Sequence, residues 1–220
     1  ILWKDQPAPP FTAVNIHEVT FSGISSEEKI LSIAKVIQKI PADVFVLNEL
    51  DSIAWVFNIR GGDTSFTPLM QGYAVITTTA EAKLFANPAK FSKKNKNSLG
   101  SNTKLEDIKS FSSHLNALGK KHKIVALDEN SATEWCLQHL KKGGTKIVYK
   151  KDPTKLLRAR KNPTEIKGAC AAHERDAIAI IRLLNWIDDR SSEKLISELD
   201  IVNKVEKFRS EIELYKGPSF

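Results

Sequence analysis

The sequence lacks a long apolar run, a secretory signal and an initial methionine. No stretch approaches the roughly 20 consecutive apolar residues that a membrane-spanning helix needs, so no membrane contact is predicted. The first ten residues, ILWKDQPAPP, have neither the positive start nor the apolar centre of a signal peptide. The missing methionine favours a segment of a longer polypeptide.

Cysteine is scarce as well, because the 220 residues contain only Cys136 and Cys170. No CxxC or mixed Cys/His spacing surrounds either residue, which argues against a zinc site. The pattern is typical of a cytosolic protein in which both thiols are free and buried or half-buried on helices. A disulfide or a shared metal ion is the alternative.

Motifs of self-contained catalysis are also absent. The sequence contains no HExxH, GxGxxG, GxxxxGK or GxSxG pattern. The five histidines are scattered and lack the i, i+4 spacing of a helical zinc site; they are His17, His114, His122, His139 and His173. We interpret them as surface or core side chains, although His173 falls on the predicted apolar face of a long helix. The chemistry of the chain alone predicts no active site.

What the sequence does contain is an excess of lysine, with a formal net charge of +7. The densest lysine cluster, residues 90–96, lies between predicted elements, which is typical of a solvated loop. We therefore do not expect a nucleic-acid partner.

Strand and helix patterns begin after an extended, proline-rich segment, residues 1–11. Ser25 and Glu28 form a capping-box pattern before an amphipathic helix that ends at Pro41. Short apolar runs bounded by turn residues predict strands at residues 43–47, 72–78, 83–86, 123–127 and 146–149. The second and third of these strands form a predicted hairpin.

Two further helices lie between the later strands. One is predicted after the cap residue Asn102 and ends at Gly119, and the other starts at Ser131 with Glu134. Strands that alternate with helices over about 150 residues predict an α/β fold, in which helices flank a mixed sheet.

The pattern changes near residue 152. Asn162 as N-cap and Pro163 as first helical residue predict a long helix to about residue 188, and Ser192 caps a second one. The predicted buried face of the long helix is Ile166, Cys170, His173, Ala177, Ile180, Leu184 and Ile187. We expect these helices to pack on the α/β domain, on one another or on a second copy of the chain, so a homodimer is possible. They predict an incomplete second domain over residues 153–220, after a first domain over residues 1–152.

The stretch LDSIAWVFNIRGGD, residues 50–63, combines a short apolar helix with a glycine-rich loop. Ile53, Trp55 and Phe57 are predicted core residues. Arg60 and Asp63 are the candidate functional residues, in a loop that faces an adjoining catalytic domain. An internal salt bridge or a turn-stabilising role is the alternative.

This stretch resembles the middle domain of Xaa-Pro aminopeptidases of the long, three-domain type (aminopeptidase P). The matching residues are Leu50, Asp51, Ile53, Ala54, Trp55, Asn58, Arg60, Gly61, Asp63, Pro68, Tyr73 and Ala74. Trp3-Lys4-Asp5-Gln6-Pro7 is similar to the family's entry to this domain, with Gln6 where arginine is usual. Residues 160–168, RKNPTEIKG, are similar to the start of its catalytic domain, so the resemblance covers nearly the whole chain.

The resemblance implies a creatinase N-terminal-like (ribonuclease-H-like) sheet, followed by two long helices of an incomplete pita-bread metallopeptidase domain. In the family, two metal ions, usually Mn²⁺, activate a water that cleaves the bond before a proline in second position. The implied ligands, two Asp, one His and two Glu, lie beyond Phe220, so no catalytic or metal-binding residue is assigned in this chain.

The implied protein is a cytoplasmic enzyme that acts on proline-containing peptides. The implied partner of this chain is the remainder of the catalytic domain, and the chain alone is expected to be inactive. The alternative is a non-catalytic pita-bread relative that acts as a binding or interaction module.

Overall fold

The computed structural model describes residues 3–121, 123–190 and 196–218. The chain divides into two compact units, Ile1–Lys161 and Asn162–Phe220. We call them the α/β unit and the helical unit.

Strands and helices alternate along most of the α/β unit. The strands are β1 (Asn15–Ile16), β2 (Val44–Leu47), β3 (Ile59–Arg60), β4 (Tyr73–Thr77), β5 (Ala82–Ala86), β6 (Thr103–Asp107), β7 (Ile124–Leu127) and β8 (Lys146–Tyr149). The α-helices are α1 (Val19–Ser22), α2 (Ser26–Ile37), α3 (Leu50–Val56), α4 (Lys93–Asn97), α5 (Phe111–Lys120), α6 (Glu134–Lys142) and α7 (Thr154–Ala159). Short 3₁₀ turns cover Pro88–Lys90 and Ile108–Ser110.

Six of these strands form one mixed sheet in the order β6-β5-β4-β2-β7-β8. β4 runs antiparallel to both of its neighbours, β2 and β5, whereas β2, β7 and β8 are mutually parallel and β5 is parallel to β6. The short strands β1 and β3 pair separately, with Asn15 opposite Arg60. This arrangement confirms the predicted α/β fold with a mixed sheet.

Both faces of the sheet are buried by helices. On one face, Ile30 and Ile33 of α2 and Ile53 of α3 pack against Phe45 and Ile76 of the sheet. On the other face, α5 and α6 cover a second cluster, which includes Val46, Val75, Phe111, Leu115 and Leu140. Burial of these apolar side chains from both directions provides the main stabilisation of the unit.

Several local predictions are confirmed. Ser25 and Glu28 form the capping box of α2, in which each side chain bonds the backbone amide of the other residue. β4 and β5 form the predicted hairpin, and Ile53 and Phe57 are almost completely buried. Cys136 is a buried free thiol as expected.

The helix predicted after Asn102 is wrong in its first part. Residues 103–107 instead form β6, which pairs along its length with β5. The sequence TKLED has one apolar residue, the central Leu105, and its charged neighbours fit the edge position that β6 occupies. α5 then runs past Gly119 to Lys120, so this glycine does not end the helix. Glycine is needed there because the end of α6 approaches closely. A Cβ atom there would lie 1.8 Å from the carbonyl oxygen of Gly143 at the end of α6.

Two further predictions for the α/β unit are corrected. The N-cap of α6 is Thr133 and not Ser131, because the Thr133 hydroxyl accepts the Cys136 amide at 3.2 Å. Residues 90–96 are not one solvated loop, since Lys90 is buried and residues 93–97 form α4.

The helical unit contains two long helices, α8 (Pro163–Arg190) and α9 (Glu198–Ser210). At about 1.5 Å per residue, the 28 residues of α8 span about 42 Å. Asn162 and Glu165 cap its start, as each side chain bonds the other residue's amide. The helices meet through Ala179, Leu183 and Phe208.

The predicted buried face of α8 is wrong. Ile166 and Leu184 are about half exposed, at 51% and 56%, and Cys170 is exposed rather than buried. The face that contacts α9, with Ala179 and Leu183, is displaced by about 100° around the helix, and Ile187 of the predicted face packs at its margin. Two predictions fall on residues outside the described ranges, the cap at Ser192 and the histidine His122.

Candidate functional site

The candidate loop begins where α3 ends, and its first turn is fixed by Asn58. Asn58 takes a left-handed conformation with φ 50°, which asparagine tolerates better than most residues. Its side-chain oxygen accepts a hydrogen bond from the buried Lys29 ammonium at 2.6 Å, and its side-chain nitrogen donates one to the Ile24 carbonyl at 2.9 Å. Asn58, and not the Gly61-Gly62 pair, therefore turns the chain out of the helix.

Arg60 closes the end of α3. Its guanidinium donates to the carbonyl oxygens of Ala54 at 3.2 Å and Ile59 at 2.9 Å. A cation at a helix C-terminus satisfies carbonyls that have no partner in the helix and opposes the negative end of the helix dipole. Arg60 thus helps to hold α3 and the start of the loop together.

Asp63 lies at the centre of a buried polar cluster. Its side chain is fully enclosed, and one carboxylate oxygen lies 2.5 Å from the Lys90 ammonium. The same oxygen accepts a hydrogen bond from the backbone amide of Gln71 at 2.8 Å, and the other oxygen accepts one from the backbone amide of Thr12 at 3.4 Å. Lys90 in turn donates to the Pro10 carbonyl at 2.9 Å. One ion pair therefore connects the N-terminal segment, both ends of the loop and the 3₁₀ turn after β5.

Residues 61–71, which we call the 61–71 loop, form a narrow turn whose two arms are joined by backbone hydrogen bonds. The Gly61 amide bonds the Pro68 carbonyl, and the Asp63 amide bonds the Leu69 carbonyl. The two arms are so close that a Cβ on Gly61 would lie 2.8 Å from Met70 Cβ. Position 61 thus requires glycine because a side chain there would collide with Met70, although the Gly61 backbone is not strained.

Sequence reasoning missed Lys90, the partner of Asp63. The residue stands 27 positions away, at the start of a lysine-rich run that otherwise faces solvent. The one local signal was its position between Pro88 and Phe91, both typical of a packed turn. A buried lysine is rare without a paired charge, and here Asp63 supplies it.

A second polar cluster lies at the carboxyl ends of β2 and β7. Lys155 of α7 contacts Glu49 at 2.8 Å and Asp128 at 2.9 Å, and the Asp128 carboxylate also accepts the Asp152 amide at 2.9 Å. Burial would raise the pKa of Asp128, but hydrogen bonds from Asp152, Lys155 and Asn130 together lower it to about 2. The carboxylates of Glu49 and Asp128 raise the pKa of Lys155 in turn. The cluster fixes α7 on the sheet.

The described histidines do not come together. Burial and the nearby Lys83 and Lys121 charges lower the pKa of His114 to about 4, so the ring is neutral at physiological pH. His139 packs on the Trp135 ring with a 4.3 Å centroid distance, and His173 is exposed on α8.

Metal-ligating side chains are dispersed over the part of the chain that the structure describes. In residues 3–121, 123–190 and 196–218, no three His, Cys, Asp or Glu side chains are grouped so that they could hold an ion. The residues present therefore do not form the two-metal site of the family that the sequence resembles, and we assign no step of hydrolysis to them. No helix in these ranges is long and apolar enough to cross a membrane.

Comparisons with known proteins agree with this architecture. Residues 5–165 match the family model of the creatinase/prolidase N-terminal domain. The chain belongs to this creatinase/prolidase N-terminal domain family.

Two relatives carry the description "probable Xaa-Pro aminopeptidase P". The protein of Paracoccidioides brasiliensis is 31% identical over 233 residues, which cover 100% of this chain and 38% of that protein. The protein of Neosartorya fischeri is 32% identical over 230 residues, covering 100% of this chain and 35% of that protein. The chain thus spans little more than a third of the length of these relatives.

A solved structure has the same fold. The X-prolyl aminopeptidase of Caenorhabditis elegans, described as a cytosolic enzyme with a di-nuclear active site, superposes with a TM-score of 0.90 at 22% identity. The match covers 100% of this chain and 36% of that one. The family resemblance drawn from residues 50–74 is therefore confirmed, and so is the creatinase-like fold.

Proposed function

We propose that this chain is part of a metal-dependent Xaa-Pro aminopeptidase, which removes the N-terminal residue from peptides with proline in second position. One observation carries the proposal: all of this chain aligns at 31–32% identity with proteins described as Xaa-Pro aminopeptidase P. The fold supports it independently, since the C. elegans aminopeptidase matches along the whole chain.

Within such an enzyme the two regions have different tasks. We assign residues 1–152 to the middle domain, with its N-terminal linker, and residues 153–220 to the first helices of the pita-bread metallopeptidase domain. The start of α8 supports the second assignment, because the Asn162–Glu165 cap lies within RKNPTEIKG, the motif similar to the start of that domain.

The metal chemistry belongs to the longer protein. Two Mn²⁺ or similar divalent ions would supply an activated water and polarise the peptide carbonyl there. This chain contributes no metal ligand in our proposal and is inactive by itself. A cytoplasmic location is proposed by analogy with the C. elegans enzyme, which is described as cytosolic.

For Arg60 and Asp63 we propose a positioning role. Asp63 is enclosed and already holds three donors, and Arg60 bonds carbonyls of α3 and β3. These contacts favour the internal alternative over direct contact with a substrate. The two residues would keep the 61–71 loop in place for the rest of the enzyme.

The test compares this chain with a version extended to the full length of the relatives. Both are incubated with an Xaa-Pro-Xaa peptide and the matched Xaa-Ala-Xaa peptide, with Mn²⁺ and with a chelator. We expect metal-dependent release of the first residue by the extended chain, only from the proline peptide, and none by the 220-residue chain. Comparable hydrolysis by the shorter chain would contradict the proposed inactivity.

A folded, metal-free and inactive extended chain would instead favour the second candidate, a non-catalytic binding module. One observation supports that candidate: the positive charge is concentrated in the α/β unit, with 24 Lys and Arg against 15 Asp and Glu in residues 1–161. A basic surface of this kind fits an acidic partner.

A further inference from the structure

Two lysines face each other across the β5–β6 ladder at one edge of the sheet. Lys83 of β5 stands directly opposite Lys104 of β6, and both side chains lie on the same face of the sheet as Phe85. Like charges in directly opposite positions of neighbouring strands destabilise the pair. An acidic residue at either position would remove this repulsion, so the pairing of the strands does not account for the two lysines.

The edge position of β6 accounts for only one of these charges. Charged side chains protect an edge strand from pairing with another chain, and both Lys104 and Glu106 of β6 serve that purpose. Lys83 lies on the inner neighbour β5 and is half-buried, where this explanation does not apply. Its charge needs another reason.

Helix α5 brings two further residues, His114 and Lys121, to the same place. The Lys83 ammonium lies 3.5 Å from His114 Nδ1, and the His114 ring packs on Phe85 with a 5.1 Å centroid distance. Lys121 follows His114 by seven residues, about two turns along the same side of the helix, and its charge acts on the ring. The neutral imidazole therefore holds Lys83 without supplying a negative charge.

No carboxylate compensates these lysines at contact distance. None of the ion pairs in the described ranges contains Lys83, Lys104 or Lys121. Elsewhere in the same unit a lysine with a confined side chain has an acidic partner, as Lys90 has Asp63. Three positive charges are thus held near one another without a partner, and a bound anion would relieve their mutual repulsion.

We propose that Lys83, Lys104 and Lys121 form a binding site for a phosphate-type oxyanion with several negative charges. Lysine ammonium groups bind phosphate as point charges, whereas a planar carboxylate is recognised best by the paired donors of arginine. The sequence contains no arginine between Arg60 and Arg158, so the site consists of lysines alone. This inference goes beyond the proposed function and requires neither metal ions nor a peptide substrate.

The test is a titration of the ¹⁵N-labelled 220-residue chain with sodium tripolyphosphate at constant ionic strength. We expect chemical-shift changes in the His114 ring and in the backbone amides of residues 83, 104 and 121. Affinity should fall about tenfold or more in Lys83→Gln/Lys104→Gln, because two charged contacts are lost. Without the anion, the melting temperature of this variant should stay equal or rise, since the repulsion between the two strands is removed.

Lys93→Gln/Lys94→Gln is the matched control. It removes two exposed lysines of α4, a helix that lies between Phe91 and Leu99 of the apolar cluster on the opposite face of the sheet. Both double variants lower the net charge equally, but the control should bind tripolyphosphate within about twofold of the unchanged chain. Equal losses of affinity in the two variants would overturn the proposal, in favour of general attraction to a basic protein. Absence of shifts at millimolar tripolyphosphate would also overturn it.

Two further probes test the chemical class of the ligand. Citrate carries several negative charges on planar carboxylates, and binding as tight as that of tripolyphosphate would overturn the assignment to phosphate. Phe85 is buried and offers no exposed face to a base, so an oligothymidylate should not bind more tightly than tripolyphosphate. Tighter binding of the oligothymidylate, with shifts beyond these residues, would overturn the proposal in favour of a nucleic-acid surface. All of these measurements are independent of the peptidase assay, so either proposal can fail without the other.

Discussion

The two units of this protein differ most in how their apolar side chains are covered. In the α/β unit, helices bury both faces of the sheet, and residues such as Ile33 and Phe45 are almost fully enclosed. In the helical unit, only Ala179, Leu183 and Phe208 of the described residues are buried. Ion pairs on its surface, such as Arg209 with Asp176 at 2.6 Å, supplement this contact.

This difference shows that helical pattern and helical packing are separate properties. α8 is amphipathic by sequence and properly capped, yet Ile166, Ile181 and Leu184 are all more than half exposed. A helix pair can bury one stripe of each helix, whereas a sheet between two helix layers buries nearly every strand residue. We therefore expect cooperative stability to come from the α/β unit and local fluctuation to be concentrated in the helical unit.

The largest expected effect tests the buried ion pair of the α/β unit. Lys90→Met leaves the enclosed Asp63 carboxylate without its cation, which should cost about 3–5 kcal/mol of unfolding free energy. Urea denaturation of the whole chain measures this loss. The double variant Lys90→Met/Asp63→Asn should recover part of it, because no unpaired charge then remains buried.

Lys123→Met provides the control for this prediction. Lys123 lies 3.9 Å from Asp43, and both side chains are more than 40% exposed, so its loss should cost less than about 1 kcal/mol. Similar costs for the two lysine variants would show that the Asp63–Lys90 pair does not anchor the loop.

The next effect contrasts the two cores directly. Ile33→Ala opens a cavity in the α/β unit and should cost about 2–5 kcal/mol in global unfolding. Leu183→Ala in the helical unit should mainly accelerate amide hydrogen exchange in α8 and α9 and leave β2 and β7 unaffected. If Leu183→Ala lowered the protection of the sheet as much as Ile33→Ala does, the two units would unfold together and the contrast would be lost.

A smaller effect concerns acid. Although burial opposes it, bonds from Asp152, Lys155 and Asn130 lower the pKa of Asp128 from its ordinary 3.8 to about 2 in the folded state. The associated stability, up to about 2 kcal/mol, is present above pH 4 and is lost as the pH falls toward 2. Asp128→Asn should therefore flatten the pH dependence of unfolding in that window.

Asp176 of the helical unit gives the comparison for this pH effect. Hydrogen bonds from Arg209 lower the pKa of Asp176, although its side chain is 44% exposed. The contribution of Asp176 should fade in high salt, whereas that of Asp128, whose side chain is 2% exposed, should persist. Equal salt sensitivity would contradict the assigned difference in burial.

The smallest effect concerns the helix caps. Ser25→Ala removes the capping box of α2, and Ser197→Ala removes the equivalent box of α9. Each cap is worth about 1 kcal/mol. The first loss should appear in global unfolding, but the second should appear only as faster exchange in the first turn of α9. A global loss from Ser197→Ala would mean that α9 is part of the cooperative core.

Part of the candidate site could be predicted from local sequence, and part could not. The motif around Arg60 and Asp63 identified the family and the loop. The partner of Asp63 was missed because Lys90 is distant in sequence and adjoins a solvated lysine run. Likewise, TKLED reads as either helix or strand over so few residues, and only its pairing with β5 decides for a strand.

The sequence by itself determined the elements with strong local signals, such as the capped helix at Ser25, the hairpin and the long helix at Asn162. These follow from caps, turn residues and periodicity within a few residues of each other. Only the tertiary structure decided which side of α8 is buried, that Lys90 is enclosed and that Phe66 is held exposed in a left-handed turn. The physical reason is that burial and ion pairing depend on residues distant in sequence, whose approach no local pattern specifies.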